Sequence, residues 1–483
     1  MPLADYVLLP LRGLRVAGRT ASGRARDYLR ALPVGAQRGR GRTHLEVLDT
    51  IGDDGPKLVR AHEDAADALR AEQPGLRLVP VRWYVPARAR FVLAATVGRA
   101  DTTTVRVTVV SRLDGEPVPG AEVIAVVDAR RRLGATGVTD RRGVARLRLP
   151  PVDRLSRLYV YTDLGYWSLV RRGVPVAADL TCTVRPIDLA VADGVRHFLG
   201  RSSPDHGAGV RVGVLDTGID AHHPDLTVVG GLNTVRGEDP GDYGDNGQQH
   251  GTHVAGIVAA HGTAPTGLAG VAPGAALLSY RVFGRTGDGA SNFAIAKAID
   301  AAVADRCDLL NLSLGSGDPD PVLRAAVEDA RAAGVVTVAA AGNDGRGPVS
   351  FPGSEPSAVA VSALGRKGTY PPDATAVLDQ ARPYGRDRAD YVAAFSNVGP
   401  QIDLTGPGVA VVSTLPGGYG EMSGTSMACP AVTGMAARLL ARDARLLRAR
   451  RDGTRSDELI SRLLLSATSL GFPSELEGRG LPR

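Results

Sequence analysis

The second half of the chain alternates between nearly unbroken apolar runs and stretches with a helical period. The apolar runs include "VRVGVLDTG", "ALLSYRVF", "DLLNLSLG" and "GVVTVAAAGN", and helical patterns such as "NFAIAKAIDAAVA" lie between them. Strands that are apolar on both faces are typical of a parallel sheet covered by helices on each side. The pattern therefore predicts an α/β domain with a doubly wound, mostly parallel sheet over residues 209–475.

A different pattern occupies residues 94–186, where short alternating runs are separated by Gly, Pro and Asp. A period of two with frequent turns predicts a small β-sandwich. The stretch "DGEPVPGAEV", followed by "TDRRG", resembles the carboxypeptidase-regulatory and transthyretin-like modules, which implies a sandwich without a catalytic role. Residues 187–208 are predicted to form a connecting helix and linker.

Residues 1–90 have the pattern of a small α+β unit. Strands are predicted at "DYVLLPL", "THLEVLDTI" and "LRLVPVRWYV". Helices are predicted at "ASGRARDYLRAL" and across "PKLVRAHEDAADALRAEQPG", where Pro56 stands near the start and Gly75 past the end.

Composition narrows the class of protein. With 43% hydrophobic and 22% charged residues, the chain is typical of a globular protein. Aromatic residues are only 4%, which argues against a nucleic-acid partner despite the net charge of +6. Three scattered cysteines give neither a disulfide framework nor a metal-ligand spacing.

No apolar run reaches the roughly 18 residues of a membrane span, so no membrane contact is expected. The stretch "MPLADYVLLPL" has no basic residue ahead of its apolar part, unlike a signal peptide. The sequence therefore predicts a cytoplasmic protein, and export by a leaderless route or a mis-assigned start are the alternatives.

Three features at predicted strand or helix ends carry candidate chemistry. Asp216 ends a buried strand, where a turn cap and a functional carboxylate are equally good interpretations. His250 and His253 open a Gly/Ala-rich helix, but their spacing alone is weak evidence for a metal. The stretch "EMSGTSMACP" offers four candidate nucleophiles beside a helix N-terminus, whose free N–H groups suit a developing oxyanion; these are Ser423, Thr425, Ser426 and Cys429.

The chain order Asp, His, Ser resembles that of the subtilisin-like serine proteases (subtilases). The motifs "VGVLDTGID", "HGTHVAGIVAA", "VAAAGNDG" and "GTSMACP" follow the family's order over residues 209–470. The resemblance implies a serine endopeptidase that acts on proteins through an acyl-enzyme on Ser426, with His250 as base and Asp216 as its orienting acid. It also implies Asn343 as the oxyanion donor. The alternative is a subtilase-fold binding or scaffolding protein whose β-sandwich recruits a partner.

The same resemblance sorts the neighbouring residues. It implies that His253 is structural. With Ser426 as the nucleophile, Thr425 is expected to be a turn residue and helix N-cap. Cys429, one turn into the helix, is expected to be a small apolar filler, with a thiol that makes the enzyme sensitive to mercurials as the alternative. It implies that a substrate strand lies between two edge segments and that Ser350 floors the pocket for a fairly large apolar side chain. The substrate-binding residues implied are Ser313, Leu314, Gly315, Gly287, Gly289, Ala341, Gly342 and Ser350.

The sequence departs from the family pattern at three places. Residues 260–270 lack the Asn ligands of the family's tight calcium site, so no metal or other cofactor is expected, with structural calcium as the alternative. Residues 365–391 exceed the family core and are predicted to be a surface loop rather than a lid beside the cleft. Residues 1–90 weakly resemble the inhibitory propeptide, which predicts intramolecular inhibition, although here the predicted sandwich lies between them and the catalytic domain.

Overall fold

The first described strands form an antiparallel sheet. The computed structural model describes residues 3–14, 23–38, 44–96, 102–191, 193–262, 267–287 and 289–483. The sheet of the N-terminal unit has the order β2-β3-β4-β1-β5. The elements of this unit are β1 (Ala4–Pro10), α1 (Gly23–Arg30), β2 (Gln37–Arg38), β3 (Leu45–Thr50), β4 (Lys57–Ala61), α2 (Asp64–Glu72) and β5 (Leu76–Pro80).

The helix expected over residues 56–75 is wrong in its first part, because Lys57–Ala61 is strand β4, paired with both β1 and β3. Leu58 packs into a core shared with the C-terminal half, whereas Val59 packs into the core of the N-terminal unit. Neighbouring apolar residues that face opposite sides have the period of a strand. The prediction of one continuous strand at "LRLVPVRWYV" also differs from the structure. This stretch forms two strands, β5 and a separate strand β6 (Trp83–Pro86).

Two further sheets follow, with the orders β13-β12-β9-β10-β7 and β11-β8-β14. Their facing sides share one hydrophobic core that includes Val107, Val123, Leu147 and Leu158. We call this part the sandwich module. Its strands are β7 (Ala95–Thr96), β8 (Thr103–Ser111), β9 (Glu122–Asp128), β10 (Leu133–Val138), β11 (Val144–Leu149), β12 (Arg154–Tyr161), β13 (Leu169–Pro175) and β14 (Asp179–Val184).

The linker region holds the short helix α3 (Gly194–Leu199), which begins after Asp193 because the Asp193 carboxylate accepts from Arg196 N. The elements of the C-terminal unit up to residue 340 then follow. They are β15 (Arg211–Asp216), β16 (Val228–Asn233), α4 (His250–Ala259), β17 (Ala276–Arg281), β18 (Ala290–Ser291), α5 (Asn292–Ala304), β19 (Leu309–Leu312), β20 (Leu314–Gly315), α6 (Pro321–Ala332) and β21 (Val336–Ala340).

The remaining elements complete the C-terminal unit, which we call the catalytic unit. They are β22 (Ala358–Arg366), a 3-10 helix (Thr375–Leu378), β23 (Asp390–Val392), β24 (Leu404–Pro407), β25 (Val411–Leu415), β26 (Gly418–Met422), α7 (Thr425–Arg442), α8 (Ala444–Arg448), α9 (Gly453–Leu465), β27 (Ala467–Thr468), α10 (Ser474–Glu477) and β28 (Leu481–Pro482).

The central sheet of the catalytic unit has the order β16-β17-β15-β19-β21-β22-β23, with β24 also paired to β22. Every pairing along it is parallel except that of β23. Helices α4 and α7 pack in one core and α5 and α6 in another, so the sheet is covered on both faces. The predicted fold class, a doubly wound α/β domain, is confirmed.

The N-terminal unit is packed on the catalytic unit. Val7, Leu9 and Val79 of its sheet share a core with Phe293 of α5 and Leu323 of α6. At the edge of this contact the Lys297 ammonium donates to both oxygens of Asp49 at 2.8 Å, and Leu14 N donates to Asp329 Oδ2 at 2.7 Å.

Residues 365–391 do not form the surface loop expected from the sequence. Ala374 forms a bridge with Leu169 of the sandwich module, Val170 N donates to Asp373 O at 2.9 Å, and Thr375 N donates to Ser168 O at 3.1 Å. Tyr370 and Tyr391 within the segment are buried. The segment, which we call the insertion, therefore joins the catalytic unit to the sandwich module.

Within the described ranges no helix combines the length and the apolar composition needed to cross a membrane.

Candidate active site

Asp216 and His250 lie at the carboxyl end of a central strand. β15 ends at Asp216 and α4 begins at His250, and the Nδ1 of the imidazole lies 2.7 Å from Asp216 Oδ1. Both side chains are buried. Among the described residues, His250 Nε2 and Asp216 Oδ2 find no hydrogen-bond partner. A carboxylate on Nδ1 holds the proton there and leaves Nε2 free to accept one.

Ser426 lies in the first turn of α7, which packs against α4. Its Oγ donates to Ser313 O at 2.9 Å, so the serine is not bonded to His250 in this conformation. Gly424, two residues before Ser426, has φ 155°, and a Cβ there would lie 2.5 Å from the carbonyl oxygen of Ala87. Glycine at this position lets another segment of backbone approach the serine closely.

Asn343 and Ser426 together bind one carbonyl oxygen. Asn343 Nδ2 and Ser426 N, the latter at 3.2 Å, both donate to Ala87 O. The orientation of the Asn343 amide is fixed by Thr425, because Asn343 Oδ1 accepts from Thr425 N at 2.9 Å and from Thr425 Oγ1 at 3.1 Å. The pair has the donor arrangement of an oxyanion hole.

Three other residues from the same motifs are buried and form hydrogen bonds within the protein. His253 donates through Nε2 to Val411 O at 3.1 Å, and burial lowers its pKa to about 3, so it stays neutral. Thr425 does not cap α7, which begins at Thr425 after Gly424, and instead bonds to Asn343. Burial raises the pKa of the Cys429 thiol, which keeps it protonated and unreactive.

The segment that carries Ala87 crosses the catalytic unit as an added strand. β6 pairs antiparallel with β18 on one side, with Tyr84 opposite Ala290, and with β20 on the other, with Val85 opposite Gly315. Ala87 N donates to Ser313 O at 3.0 Å. Tyr84 is fully buried, whereas Val85 is 54% exposed. One face of this strand is therefore held by the protein and the other faces outward.

The residues expected to bind substrate fall into three groups. Ser313, Leu314 and Gly315 pair with the segment, and a Cβ on Gly289 would lie 3.0 Å from Tyr84 O. A Cβ on Gly287 would meet no atom within 4 Å, so the space beside Gly287 is open, and its contact with substrate stays a prediction.

The third group is Ala341, Gly342 and Ser350, which lie together beside Gly315. Ser350 N donates to Ala341 O at 2.8 Å, and a Cβ on Gly342 would lie 2.3 Å from Ser350 Oγ. Asn397, which the sequence did not single out, donates to Ser350 Oγ at 3.2 Å. The side chain at Ala87, which points into the core of the catalytic unit, is a single methyl group.

Beyond Ala87 the segment borders a cavity of about 270 Å³. Its walls come from the sandwich module, the insertion and the catalytic unit, through residues that include Tyr161, Asp379 and Glu421. Burial raises the pKa of Glu421, and burial together with the nearby charge of Glu421 raises the pKa of Asp379 to about 8. Two acidic groups with raised pKa values next to a catalytic centre were not anticipated from the sequence.

In the described part of the chain no three His, Cys, Asp or Glu side chains are grouped closely enough to hold a metal ion. The segment 260–270, discussed above for calcium, includes residues 263–266, which are outside the described ranges. The absence of a calcium site thus stays a prediction.

A model of the subtilase family matches residues 207–479, more than half of the chain. The chain belongs to the subtilase family. The resemblance drawn from the motifs and the assignment to the serine-type endopeptidase class are thereby confirmed, and no finding supports the non-catalytic alternative.

Among this subtilase's relatives, Subtilisin DY of Bacillus licheniformis is 38% identical over 280 residues, 57% of this chain and 89% of that protein. Subtilisin Savinase of Lederbergia lenta is 39% identical over 276 residues, again 57% and 89%. Subtilisin NAT of Bacillus subtilis subsp. natto is 39% identical over 241 residues, and the match spans only 56% of its length. The similarity to these relatives covers 49% to 57% of the subtilase chain described here.

Sequence reasoning missed the part of the subtilase site formed by residues 83–91. The signal available was "WYVPA", an alternating run that ends in small residues and could have been read as a bound strand. Nothing local in the sequence indicates that Asp379 and Glu421 meet in one cavity, because they lie in separate segments of the catalytic unit.

Proposed function

We propose that this subtilase hydrolyses peptide bonds in proteins through an acyl-enzyme on Ser426. The observation that carries the proposal is the double hydrogen bond from Asn343 Nδ2 and Ser426 N to the Ala87 carbonyl oxygen. Negative charge develops on that oxygen when a carbonyl is attacked, and donors already in place stabilise it without reorganisation.

The proposed reaction begins when Ser426 Oγ leaves Ser313 O and donates to Nε2 of His250. Oγ attacks the carbonyl carbon as Nε2 takes its proton, and Asp216 Oδ1 on Nδ1–H stabilises the resulting imidazolium. His250 then gives that proton to the leaving amine as the C–N bond breaks. A water, deprotonated by His250, attacks the ester carbonyl. As the bond from the acyl carbon to Ser426 Oγ breaks, His250 returns the proton to Oγ, and the acid is released.

We further propose that residues 1–87 inhibit the enzyme from within the chain. Strand β6 occupies the cleft in the place of a substrate, with Ala87 before and Arg88 after the bond that faces Ser426. The N-terminal unit is held on α5 and α6 through a shared apolar core and the Asp49–Lys297 pair. Ala87–Arg88 is then the first bond to be cut, and the fragment 1–87 remains bound as an inhibitor.

The test compares the purified full chain with Ser426→Ala, which removes only the hydroxyl. We expect the wild type to yield fragments 1–87 and 88–483 by intact mass and, once an added protease has removed the N-terminal unit, to bind a fluorophosphonate at Ser426 and to hydrolyse unfolded casein. The variant should stay a single chain, unlabelled and inactive.

Two results would contradict the proposals separately. A wild type that is uncut, and neither labelled nor active on casein after the N-terminal unit has been removed by an added protease, would exclude the endopeptidase. A wild type that is labelled and active, yet uncut at Ala87–Arg88 and no more active when the N-terminal unit is removed by an added protease, would exclude the inhibition alone.

A further inference from the structure

Another cavity, of about 470 Å³, lies at the end of α7 opposite to Ser426. It is formed by the last turns of α7, by α3 and by the residues that follow α3. We call it the basic cavity, because every titratable residue among its described lining residues is basic; these are His197, Arg201, His206, Arg438, Arg442 and Arg483. A concave site lined by one sign of charge attracts ions of the opposite sign.

Arg438 is the buried base of this cavity and is 6% exposed. Its guanidinium donates to Leu199 O at 3.3 Å and to Arg201 O at 3.2 Å. Its Nε donates to His206 Nδ1 at 2.8 Å. These acceptors are uncharged, so they hold the guanidinium in place without neutralising it. Burial and the neighbouring charge of Arg442 lower the pKa of Arg438.

The position of the hydrogen on the His206 ring follows from its neighbours. Nδ1 accepts from Arg438 Nε and from Ser203 N, the latter at 3.1 Å, and both of these atoms only donate. Nδ1 therefore carries no hydrogen, and the hydrogen of the neutral ring lies on Nε2. The Arg442 guanidinium lies 3.5 Å from that Nε2. Because a guanidinium only donates, two donors face one another, with no acceptor between them among the described residues.

The positive charge of the basic cavity is not balanced by its surroundings. Within the described ranges no carboxylate pairs with Arg201, Arg438 or Arg442. Burial and the charges of Arg438 and Arg442 lower the pKa of His206 and outweigh the opposite effect of the Asp205 carboxylate. The C-terminal end of α7 supplies about half a negative charge, which is less than the charges of Arg438 and Arg442 together.

We propose that the basic cavity binds a phosphate group, with the Arg442 guanidinium and the Nε2–H of His206 as its donors. Phosphate supplies several acceptor oxygens and up to two negative charges, which suits two converging donors in a positive cavity. A phosphate has the bulk of a few water molecules of about 30 Å³ each, so the cavity has room for a free phosphate or for two that are joined. This site is separate from the cleft and does not depend on the proposed endopeptidase function.

The experiment titrates inorganic phosphate and pyrophosphate separately into the full chain by isothermal titration calorimetry at constant ionic strength. Ser426→Ala is the parent, to prevent self-digestion. We expect saturable binding with a Kd of about 1 mM or below, as for two charge-assisted hydrogen bonds. Saturable binding of either anion supports the site, and the anion that binds more tightly shows whether the cavity holds a free or a condensed phosphate.

Arg442→Gln removes an exposed guanidinium that is bonded only to His206 among the described residues, so the fold should be kept. We expect this variant to raise the Kd about tenfold or more. Arg442→Lys keeps the charge and should raise the Kd less than about threefold. Arg448→Gln is the matched control, because Arg448 is exposed in the last turn of α8 and does not line the cavity. It should leave the Kd within about twofold, since salt screens exposed charges outside the site.

The absence of saturable binding for both anions overturns the site. Equal losses of affinity in Arg442→Gln and Arg448→Gln would show attraction to a basic surface in general, and they overturn it as well. An Arg442→Gln variant that binds as tightly as the parent has the same consequence.

Discussion

The oxyanion site depends on a side chain that does not touch the reacting carbonyl. Thr425 donates through both N and Oγ1 to Asn343 Oδ1, and its Oγ1 accepts from Gly342 N at 3.1 Å. These bonds fix which end of the amide faces Ala87 O. Thr425 is thus a positioning residue for Asn343, and in the proposed mechanism its hydroxyl would contribute to transition-state stabilisation only through the orientation of Nδ2.

Thr425→Val removes this hydroxyl and keeps the shape. We expect kcat to fall about tenfold with KM within about twofold, because the lost orientation affects the transition state more than the bound substrate. Steady-state kinetics on a peptide substrate measures both constants. Thr433→Val on the same helix, which removes a buried hydroxyl bonded to Asn311 Oδ1, serves as the control and should leave kcat unchanged. A fall in kcat of the same size in both variants would contradict the assigned role.

Asp379 makes the stability of the fold depend on pH. Its pKa is about 8 in the folded protein and 3.8 ordinarily, so between these values the folded state keeps a proton that the unfolded chain has released. Stability therefore decreases as pH rises through this window. Asp379→Asn stays neutral, and we expect it to gain roughly 1 kcal/mol over the parent at pH 8.5 and almost nothing at pH 4.5, since Asp379 is partly exposed.

Urea unfolding at the two pH values measures this difference, with Ser426→Ala as the parent to prevent self-digestion. Asp179→Asn is the control, because the hydrogen bond from Arg106 lowers the pKa of Asp179, and it should bring no gain at pH 8.5. An equal gain from Asp379→Asn at both pH values would be evidence against the raised pKa.

At the scale of secondary-structure elements, strand β6 determines whether the cleft is occupied. It completes a three-stranded sheet with β18 and β20, so the main chain of the catalytic unit that would bind a substrate is already paired. Its side chains alternate between burial and exposure, as they must in a strand with one covered face. Tyr84 enters the core shared with α5 and α6, and its hydroxyl donates to Asp320 Oδ2 at 3.2 Å.

Tyr84→Ala should weaken the hold of residues 1–87 on the cleft by roughly 3 kcal/mol, about 100-fold, because a buried aromatic ring is lost. The dissociation constant of the self-cleaved pair can be measured from the activity that appears on dilution. Val85→Ala is a matched control on the same strand, since Val85 is mostly exposed, and it should change the constant less than threefold. Equal effects from the two variants would show that β6 is not bound in this orientation.

At the scale of the whole molecule, the cleft is enclosed by three parts of one chain. The N-terminal unit rests on α5 and α6, residues 83–91 cross the cleft, and the sandwich module and the insertion close the leaving-group side. Cutting one peptide bond at Ala87 leaves these contacts in place. Release of the cleft therefore requires the N-terminal unit to dissociate as a body.

We expect the self-cleaved wild type to elute from a sizing column at the volume of the uncut Ser426→Ala chain, with fragment 1–87 in the same peak. The apolar core between the units provides the reason, since hydrophobic burial does not depend on the connecting bond. Moderate urea should separate the two fragments. Free fragment 1–87 at micromolar concentration without denaturant would contradict this picture.

Several predictions from the sequence stay predictions, namely the cytoplasmic location, the absence of calcium, the relationship of the sandwich module to regulatory-like domains and the apolar preference at Ser350. Cell fractionation would check the location. Stability measured with and without a chelator would check the absence of calcium, and peptide profiling would check the preference at Ser350.

The sequence by itself determined the fold class and named Asp216, His250, Ser426 and Asn343, because buried parallel strands and the motifs at their ends are local patterns. The sequence predicted a helix at Lys57–Ala61, which is a strand, and a surface loop at the insertion, which joins the sandwich module. In both places pairing with distant strands decided the conformation. Only the tertiary structure placed the Ala87 carbonyl between Asn343 and Ser426, two residues more than 250 positions further along the chain. It alone brought Glu421 of β26 and Arg88 into one cavity, since the meeting of distant segments depends on how the units pack and leaves no period in the sequence.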